Sequence, residues 1–107
     1  MNDRILSLLG LCRRAGKLTL GFDLIVEAVE NGDAALVLTA RDISKNTEKK
    51  LLSVCERNAV KISALNRSKD ELSFSLGKLT AAAAVCDAGF AEKLSELLNS
   101  ESGGNCL

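Results

Sequence analysis

Hydrophobic residues follow a helical period in some stretches of the chain and a strand-like pattern in others. The first stretch has apolar residues at steps of three and four, namely Ile5, Leu8, Leu9 and Cys12. This spacing predicts a helix that begins after Asn2 or Asp3 and ends near Gly16. A short extended segment, Leu18-Thr19-Leu20, follows it. The chain therefore opens with a helix and a strand.

The same alternation continues to the C-terminus. Three further helices are predicted from residues whose side-chain oxygens can cap a first turn, namely Asp23, Ser44 and Ser68. Strands are predicted at Leu36-Val37-Leu38, at Val60 to Leu65 and at Ala81 to Cys86. The last of these strands is an unbroken apolar run, which predicts a central strand packed on both faces. A final helix carries the apolar stripe Phe90, Leu94, Leu97 and Leu98.

Alternating helices and strands predict an α/β fold in which helical layers cover both faces of one sheet. We expect a three-layer α-β-α sandwich with four short strands in a single mixed sheet. Residues 1–99 are predicted to form one domain, because 107 residues leave no room for a second. Residues 100–107, which include Cys106, are predicted to be a flexible tail.

Composition narrows the chemistry that this fold can support. The chain has no His, Trp, Tyr or Pro and three Phe residues. The absence of His removes the commonest general base and the Ser-His and Cys-His nucleophile pairs, so we predict no enzymatic activity and no cofactor. The four cysteines form no Cys-x-x-Cys pair, which disfavours a zinc site. Cys12, Cys55 and Cys86 are instead interpreted as small buried apolar residues.

The apolar stretch from Ile5 to Cys12 is far too short to span a bilayer, and it lacks the pattern of a signal peptide. We therefore expect a cytoplasmic protein with no membrane partner. We also expect a monomer.

Charge is balanced over the whole chain but not along it. There are 14 basic and 14 acidic residues, which argues against binding nucleic acid by bulk positive charge. Residues 41–69, however, contain 8 basic against 3 acidic residues, whereas residues 70–107 contain 2 against 6. The basic middle third predicts a local electropositive surface, although Lys49, Lys50 and Arg57 are equally consistent with a solvated helix face.

Functional groups are expected in the loops where strands lead into helices. Four such loops are predicted, at Gly21-Phe22-Asp23, Ala40-Arg41-Asp42-Ile43-Ser44, Asn66-Arg67-Ser68-Lys69 and Asp87-Ala88-Gly89-Phe90. Each precedes a helix whose first backbone N–H groups and positive dipole end favour an anion. Three of the four loops also carry side chains able to meet a phosphate or a base edge, and we predict that the functional loops lie together at one end of the sheet.

Four segments of the chain resemble a known family: Leu20-Gly21-Phe22-Asp23, Val26-Glu27-Ala28-Val29-Glu30-Asn31-Gly32, Ala35-Leu36-Val37-Leu38-Thr39-Ala40-Arg41-Asp42 and Leu76-Gly77-Lys78. They are similar to the ribosomal proteins of the L7Ae/L30e type that bind kink-turn RNA. Within that superfamily the chain most resembles the small bacterial proteins of the YlxQ-like branch. The resemblance covers roughly residues 3–98.

This resemblance implies a protein that binds a sharply bent RNA duplex through loops at one edge of its sheet. The family's RNA signature is Gly-x-Asn-Glu-x-x-Lys, which this chain matches at Gly21 but replaces with Asp23, Leu24 and Glu27. The family's Asn and Glu address sheared G·A pairs, and two carboxylates in place of an amide and an ammonium oppose RNA binding. The departure puts standard kink-turn affinity in question.

We therefore predict a small ribosomal-protein-like RNA-binding protein associated with translation. Its expected partner is structured RNA, with ribosomal RNA and ribosomal or translation-related proteins as candidates. The predicted RNA-binding residues are Lys17, Gly21, Phe22, Asp23, Arg41, Asp42, Arg67, Ser68 and Lys69. The alternative is a protein-interaction module on the same fold, in which Phe22 is either a partner anchor or a hydrophobic staple on the second helix.

Overall fold

Helices and strands alternate along the whole described part of the chain. The structure, a computed structural model, describes residues 3–104. Its elements are α1 (Arg4–Arg14), β1 (Leu18–Leu20), α2 (Phe22–Glu30), β2 (Leu36–Thr39), α3 (Lys45–Arg57), β3 (Lys61–Ala64), α4 (Lys69–Leu76), β4 (Ala82–Val85) and α5 (Ala88–Gly104). The predicted order of elements is confirmed. The expected domain boundary at residue 99 falls inside α5, and Cys106 lies outside the described residues.

The helix ends follow the capping chemistry expected from the sequence, with one exception. Ser44 caps α3, and Ser68 and Glu71 form a capping box on α4. The prediction that Asp23 caps α2 is wrong, because α2 begins one residue earlier, at Phe22. Its N-cap is Gly21, which has no side chain to accept a hydrogen bond.

The strands form one mixed sheet in the order β1-β4-β2-β3. β4 is antiparallel to both of its neighbours, whereas β2 and β3 are parallel. It follows that β1, β2 and β3 run in one direction and β4 runs in the other. The prediction of a central, doubly buried β4 is confirmed, since all of Ala82–Val85 are buried.

Two apolar cores lie on opposite faces of the sheet. On one face α1, α4 and α5 contribute Ile5, Leu9, Cys12, Leu72, Leu76, Ala91 and Leu94. On the other face α2 and α3 contribute Ile25, Ala28, Val29, Leu51, Val54 and Cys55. The expected three-layer α-β-α sandwich is therefore confirmed. The alanines of β4 leave room for helices to pack closely above and below the centre of the sheet.

The described cysteines behave as core residues. Cys12 and Cys55 are fully buried, and Cys86 is half-buried. Burial raises the pKa of the Cys12 thiol to about 11 and also raises the pKa of Cys55. Both residues are therefore neutral thiols at physiological pH, and the thiol is a poorer nucleophile and metal ligand than the thiolate. Over residues 3–104, no helix has the length and apolar composition needed to cross a membrane.

Candidate nucleic-acid interface

Four loops meet at one end of the sheet. The C-terminal ends of β1, β2 and β3 lie together there, beside the N-terminal end of the antiparallel β4. We call this surface the loop edge and define it as residues 21–24, 40–45, 65–69 and 78–81. With strands about 4.8 Å apart, its four loops are spread over roughly 14 Å. The loop edge is therefore wide enough to contact more than one nucleotide.

The loops that follow β2 and β3 are tied to each other. The Arg41 backbone N–H donates to the Arg67 carbonyl at 2.8 Å, and the Lys69 N–H donates to Asp42 Oδ1 at 2.7 Å. The Arg41 guanidinium also donates to Asn66 Oδ1 at 3.4 Å. Asp42 therefore holds the neighbouring loop in place, and the centre of the loop edge is preorganised.

The helix N-termini at this edge differ in whether they are free to receive an anion. At the start of α4, the Lys69 N–H donates to the Asp42 carboxylate. The Ser68 N–H donates to the Glu71 carboxylate, and the Glu71 N–H donates to the Ser68 hydroxyl oxygen. The expectation of free N–H groups behind every loop is therefore wrong for α4. At α2, by contrast, no side chain caps the first turn. The N–H groups that follow Gly21 are the better candidates for a phosphate.

Four cations at the loop edge have exposed side chains, and one of them, Lys78, lies in the loop between α4 and β4. Arg41 and Lys69 follow β2 and β3, as predicted, and Lys45 is the first residue of α3. The Arg41 guanidinium lies 3.6 Å from Glu71, but both groups are about half exposed, so this ion pair is weak and easily exchanged. Lys45 was not among the predicted site residues, although its position directly after Ser44, the predicted cap of α3, indicates that it lies at this edge of the sheet.

Arg67 faces the protein rather than the solvent. Its guanidinium donates to Asp3 at 2.7 and 3.1 Å and to Glu101 at 2.7 and 3.3 Å, and its side chain is only 11% exposed. Hydrogen bonds from Arg67 lower the pKa of Asp3, and the two carboxylates raise the pKa of Arg67. Arg67 thus joins the start of α1 and the end of α5 to the β3–α4 loop.

Two predicted features lie at the opposite end of the sheet. Lys17 precedes β1, and its carbonyl accepts a hydrogen bond from Cys86, which follows β4. The loop from Asp87 to Phe90 also follows β4. Its expected place among the other functional loops is wrong, because β4 runs antiparallel to β1, β2 and β3. Lys17 therefore lies a full strand length from Gly21.

The first loop presents acidic and apolar groups. Asp23 and Glu27 are exposed on α2, and the Leu24 side chain is 55% exposed. Phe22 is 37% exposed as the first residue of α2. A hydrophobic staple uses the residue before the cap, so Phe22 does not occupy that position.

Sequence reasoning missed the α4–β4 loop, which the antiparallel β4 brings to the loop edge. Leu79 is 88% exposed there, next to exposed Lys78. The loop is held by the Thr80 N–H, which donates to Ser73 Oγ at 2.8 Å. In the sequence, an apolar Leu79 beside Lys78 in a turn could have indicated a contact site. The end of the sheet at which this loop lies, however, depends on the direction of β4. Among the described residues, no group of three Cys, Asp or Glu side chains could hold a metal ion.

Comparison with known proteins gives a consistent result. The model of the ribosomal protein L7Ae/L30e/S12e/Gadd45 family matches residues 3–95. The RNA-binding protein YlxQ of Bacillus subtilis is 41% identical to this chain over 93 residues. The matched region covers 86% of this chain and 92% of the Bacillus subtilis protein. The Enterococcus faecium RNA-binding protein YlxQ is 35% identical over 96 residues, covering 90% and 92%.

Solved structures share the fold. A Bacillus halodurans protein whose function is described as unknown superposes with a TM-score of 0.85 at 35% identity, covering 92% of this chain and 99% of that one. A Giardia lamblia 15.5 kD RNA-binding protein superposes with a TM-score of 0.73 at 20% identity, covering 94% and 89%. At that lower identity the likeness shows the fold alone.

Proposed function

Since the chain belongs to the ribosomal protein L7Ae/L30e/S12e/Gadd45 family, we propose that it is an RNA-binding protein that uses the loop edge, and that it is not an enzyme. Its bacterial relatives in that family are named as RNA-binding proteins. The observation that carries the proposal is the combination of an uncapped α2 N-terminus with exposed Arg41, Lys45 and Lys69 at the same end of the sheet.

The predicted site residues have different roles in this proposal. Backbone N–H groups after Gly21 and the side chains of Arg41, Lys45 and Lys69 contact phosphate oxygens. Asp42 and Ser68 position the loops, because both already accept backbone N–H groups. The Arg67 guanidinium is bound by Asp3 and Glu101, and Lys17 lies at the opposite end of the sheet. In this proposal, therefore, neither residue contacts RNA bound at the loop edge.

The RNA that fits this edge is structured and bent, as in a kink-turn. Exposed Leu79 offers an apolar contact to an unstacked base, and Asp23 and Glu27 repel a backbone that approaches α2 closely. We expect selective rather than indiscriminate binding, with ribosomal RNA as the candidate partner and a cytoplasmic role in translation. The protein-interaction alternative is less favoured, because the relatives of this chain are named as RNA-binding proteins.

Charge removal at the loop edge tests the proposal. Changing Arg41→Ala together with Lys69→Ala should weaken binding to all structured RNAs and lower the magnitude of the salt slope by about 1.5, since each lost phosphate contact accounts for about 0.7–0.9. The measurement is fluorescence anisotropy of labelled RNA, both a kink-turn duplex and a ribosomal RNA fragment, at several salt concentrations.

The matched control is Arg14→Ala together with Lys93→Ala, which removes two exposed cations outside the loop edge. This control should leave the salt slope almost unchanged. Equal losses in the two double variants would contradict the placement of the site. Absence of salt-dependent association with either RNA would contradict RNA binding itself.

A further inference from the structure

A shallow groove between α2 and α3 extends from the loop edge. Its described lining residues are Phe22, Val26, Lys49, Lys50, Ser53, Val54 and Arg57. The groove, of about 390 Å³, has an apolar floor and a basic rim. Phe22 comes from the first loop and the cations come from a helix about thirty residues later in the chain, so only the fold brings them together.

We propose that this α2–α3 groove holds a short unpaired segment of the bound RNA, with one base stacked on Phe22 and its phosphates along Lys49, Lys50 and Arg57. The proposal rests on the proposed function, because it concerns a second part of the same RNA. It assigns a role to three cations that the sequence could equally place on a solvated helix face.

Charge favours a nucleic-acid strand as the occupant. The described residues that line the groove include three cations and no carboxylate, and none of the three cations lies in an ion pair within the described part of the chain. Glu56 lies on the adjoining surface of α3 with Lys49 and Arg57, so the local balance stays positive. Lys49 and Arg57 are eight residues apart on a helix, or about 12 Å, so they can contact two separate phosphates of one strand.

Phe22 supplies the second requirement of single-strand binding, an aromatic surface. Its side chain is 37% exposed, and Phe22 belongs to the loop edge and also lines the groove with the cations of α3. Proteins that bind unpaired strands combine a basic groove with aromatic rings on which bases stack. Because Phe22 directly follows Gly21, a strand that leaves the duplex at the loop edge reaches this ring first.

The chain contains no Trp or Tyr, so Phe22→Trp gives a protein with one strong fluorophore, placed in the groove. The probes are a kink-turn duplex with blunt ends and the same duplex with an unpaired tail of about four nucleotides on either strand. One tailed duplex should quench Trp emission more than the blunt duplex does. The matched control is Phe74→Trp, because Phe74 is 91% exposed on α4, in the other helical layer.

Affinity provides the second readout. For the wild-type protein, the preferred tailed duplex should bind about tenfold more tightly than the blunt one. Phe22→Leu keeps an apolar side chain on the groove floor but removes the aromatic face, so it should abolish this advantage. Lys49→Gln with Arg57→Gln should reduce the advantage, and the remaining advantage should depend less on salt.

The outcomes separate the two proposals. Equal affinity for tailed and blunt duplexes, or tailed binding without quenching at position 22, overturns the groove proposal while RNA binding stands. Failure of the wild-type protein to bind the tailed and blunt kink-turn duplexes overturns the groove proposal, and failure to bind the ribosomal RNA fragment as well overturns both proposals. Polyglutamate is the probe for an acidic protein partner. If polyglutamate quenches the Trp emission of Phe22→Trp and no tailed RNA does, the groove binds an acidic protein segment, and the groove proposal is overturned.

Discussion

Gly21 has backbone angles of φ 94° and ψ 133°, a conformation that residues with a side chain rarely adopt. The residue links β1 to α2, so the direction in which α2 leaves the sheet depends on it. Space is not the constraint, because a Cβ at Gly21 would have no atom within 4 Å. Backbone conformation, rather than lack of space, therefore favours glycine at this position.

A pair of glycine substitutions separates conformation from packing. Gly21→Ala should lower the free energy of unfolding by about 1–3 kcal/mol, because alanine is strained at this φ. Gly10→Ala should raise it by about 0.5–1 kcal/mol, since Gly10 lies inside α1 and its new Cβ also meets no atom within 4 Å. Urea denaturation measures both. Shifts of the same sign in the two variants would contradict this account.

At the scale of elements, one side chain joins three parts of the chain. Arg67 in the β3–α4 loop binds Asp3, which caps α1, and Glu101, which lies in α5. These elements cover the same face of the sheet and approach one another at the loop edge. The arginine that sequence reasoning assigned to RNA is therefore better explained as a brace that holds the edge in shape.

Removal of this brace should cost stability in a pH-dependent way. Arg67→Met should lower the free energy of unfolding at pH 7 by about 1–3 kcal/mol, because charged hydrogen bonds are lost at a largely buried site. The pKa of Asp3 is lowered in the folded state. The contribution of this carboxylate is therefore fully present above about pH 4 and is lost as the pH falls through the folded-state pKa.

Urea titrations at several pH values between 7 and 2 would show the gap between Arg67→Met and wild type closing at the acid end. Asp3→Asn should retain the α1 cap but flatten the pH dependence. Arg41→Met is the matched control, and it should leave the free energy of unfolding almost unchanged, because its ion pair with Glu71 is exposed. A gap that is independent of pH would contradict the brace.

At the scale of the whole molecule, a net charge of zero means that long-range attraction to RNA is weak. Specific contacts at the loop edge must then supply most of the affinity. The molecule also exposes the carboxylates Asp23 and Glu27 on α2, whose first turn lies at the loop edge. This mixture favours RNAs whose phosphates meet the cations and avoid the acidic start of α2.

Restoring the family signature should change what the molecule binds. Asp23→Asn, Leu24→Glu and Glu27→Lys together recreate Gly-x-Asn-Glu-x-x-Lys on exposed positions of α2, so the fold should tolerate them. Kink-turn affinity should rise by about tenfold or more, whereas affinity for a straight duplex should rise much less. Anisotropy titrations against both duplexes make the comparison.

Glu30→Lys is the control for charge alone, because Glu30 is exposed at the far end of α2. It should raise both affinities slightly and equally. If Glu30→Lys matched the triple variant on kink-turn RNA, the gain would be electrostatic, and specific recognition by the α2 loop would be excluded.

The order of elements, the caps at Ser44 and Ser68 and the buried central β4 could all be predicted from the sequence alone. These properties depend on short-range periodicity and local hydrogen bonding, which neighbouring residues specify. Strand direction, by contrast, depends on pairings between distant residues. Because β4 is antiparallel to its neighbours, the α4–β4 loop lies at the loop edge and the loop after β4 lies at the opposite end of the sheet. Only the tertiary structure showed Arg67 held between Asp3 and Glu101, and Phe22 beside the cations of α3, because these contacts link residues far apart in the chain.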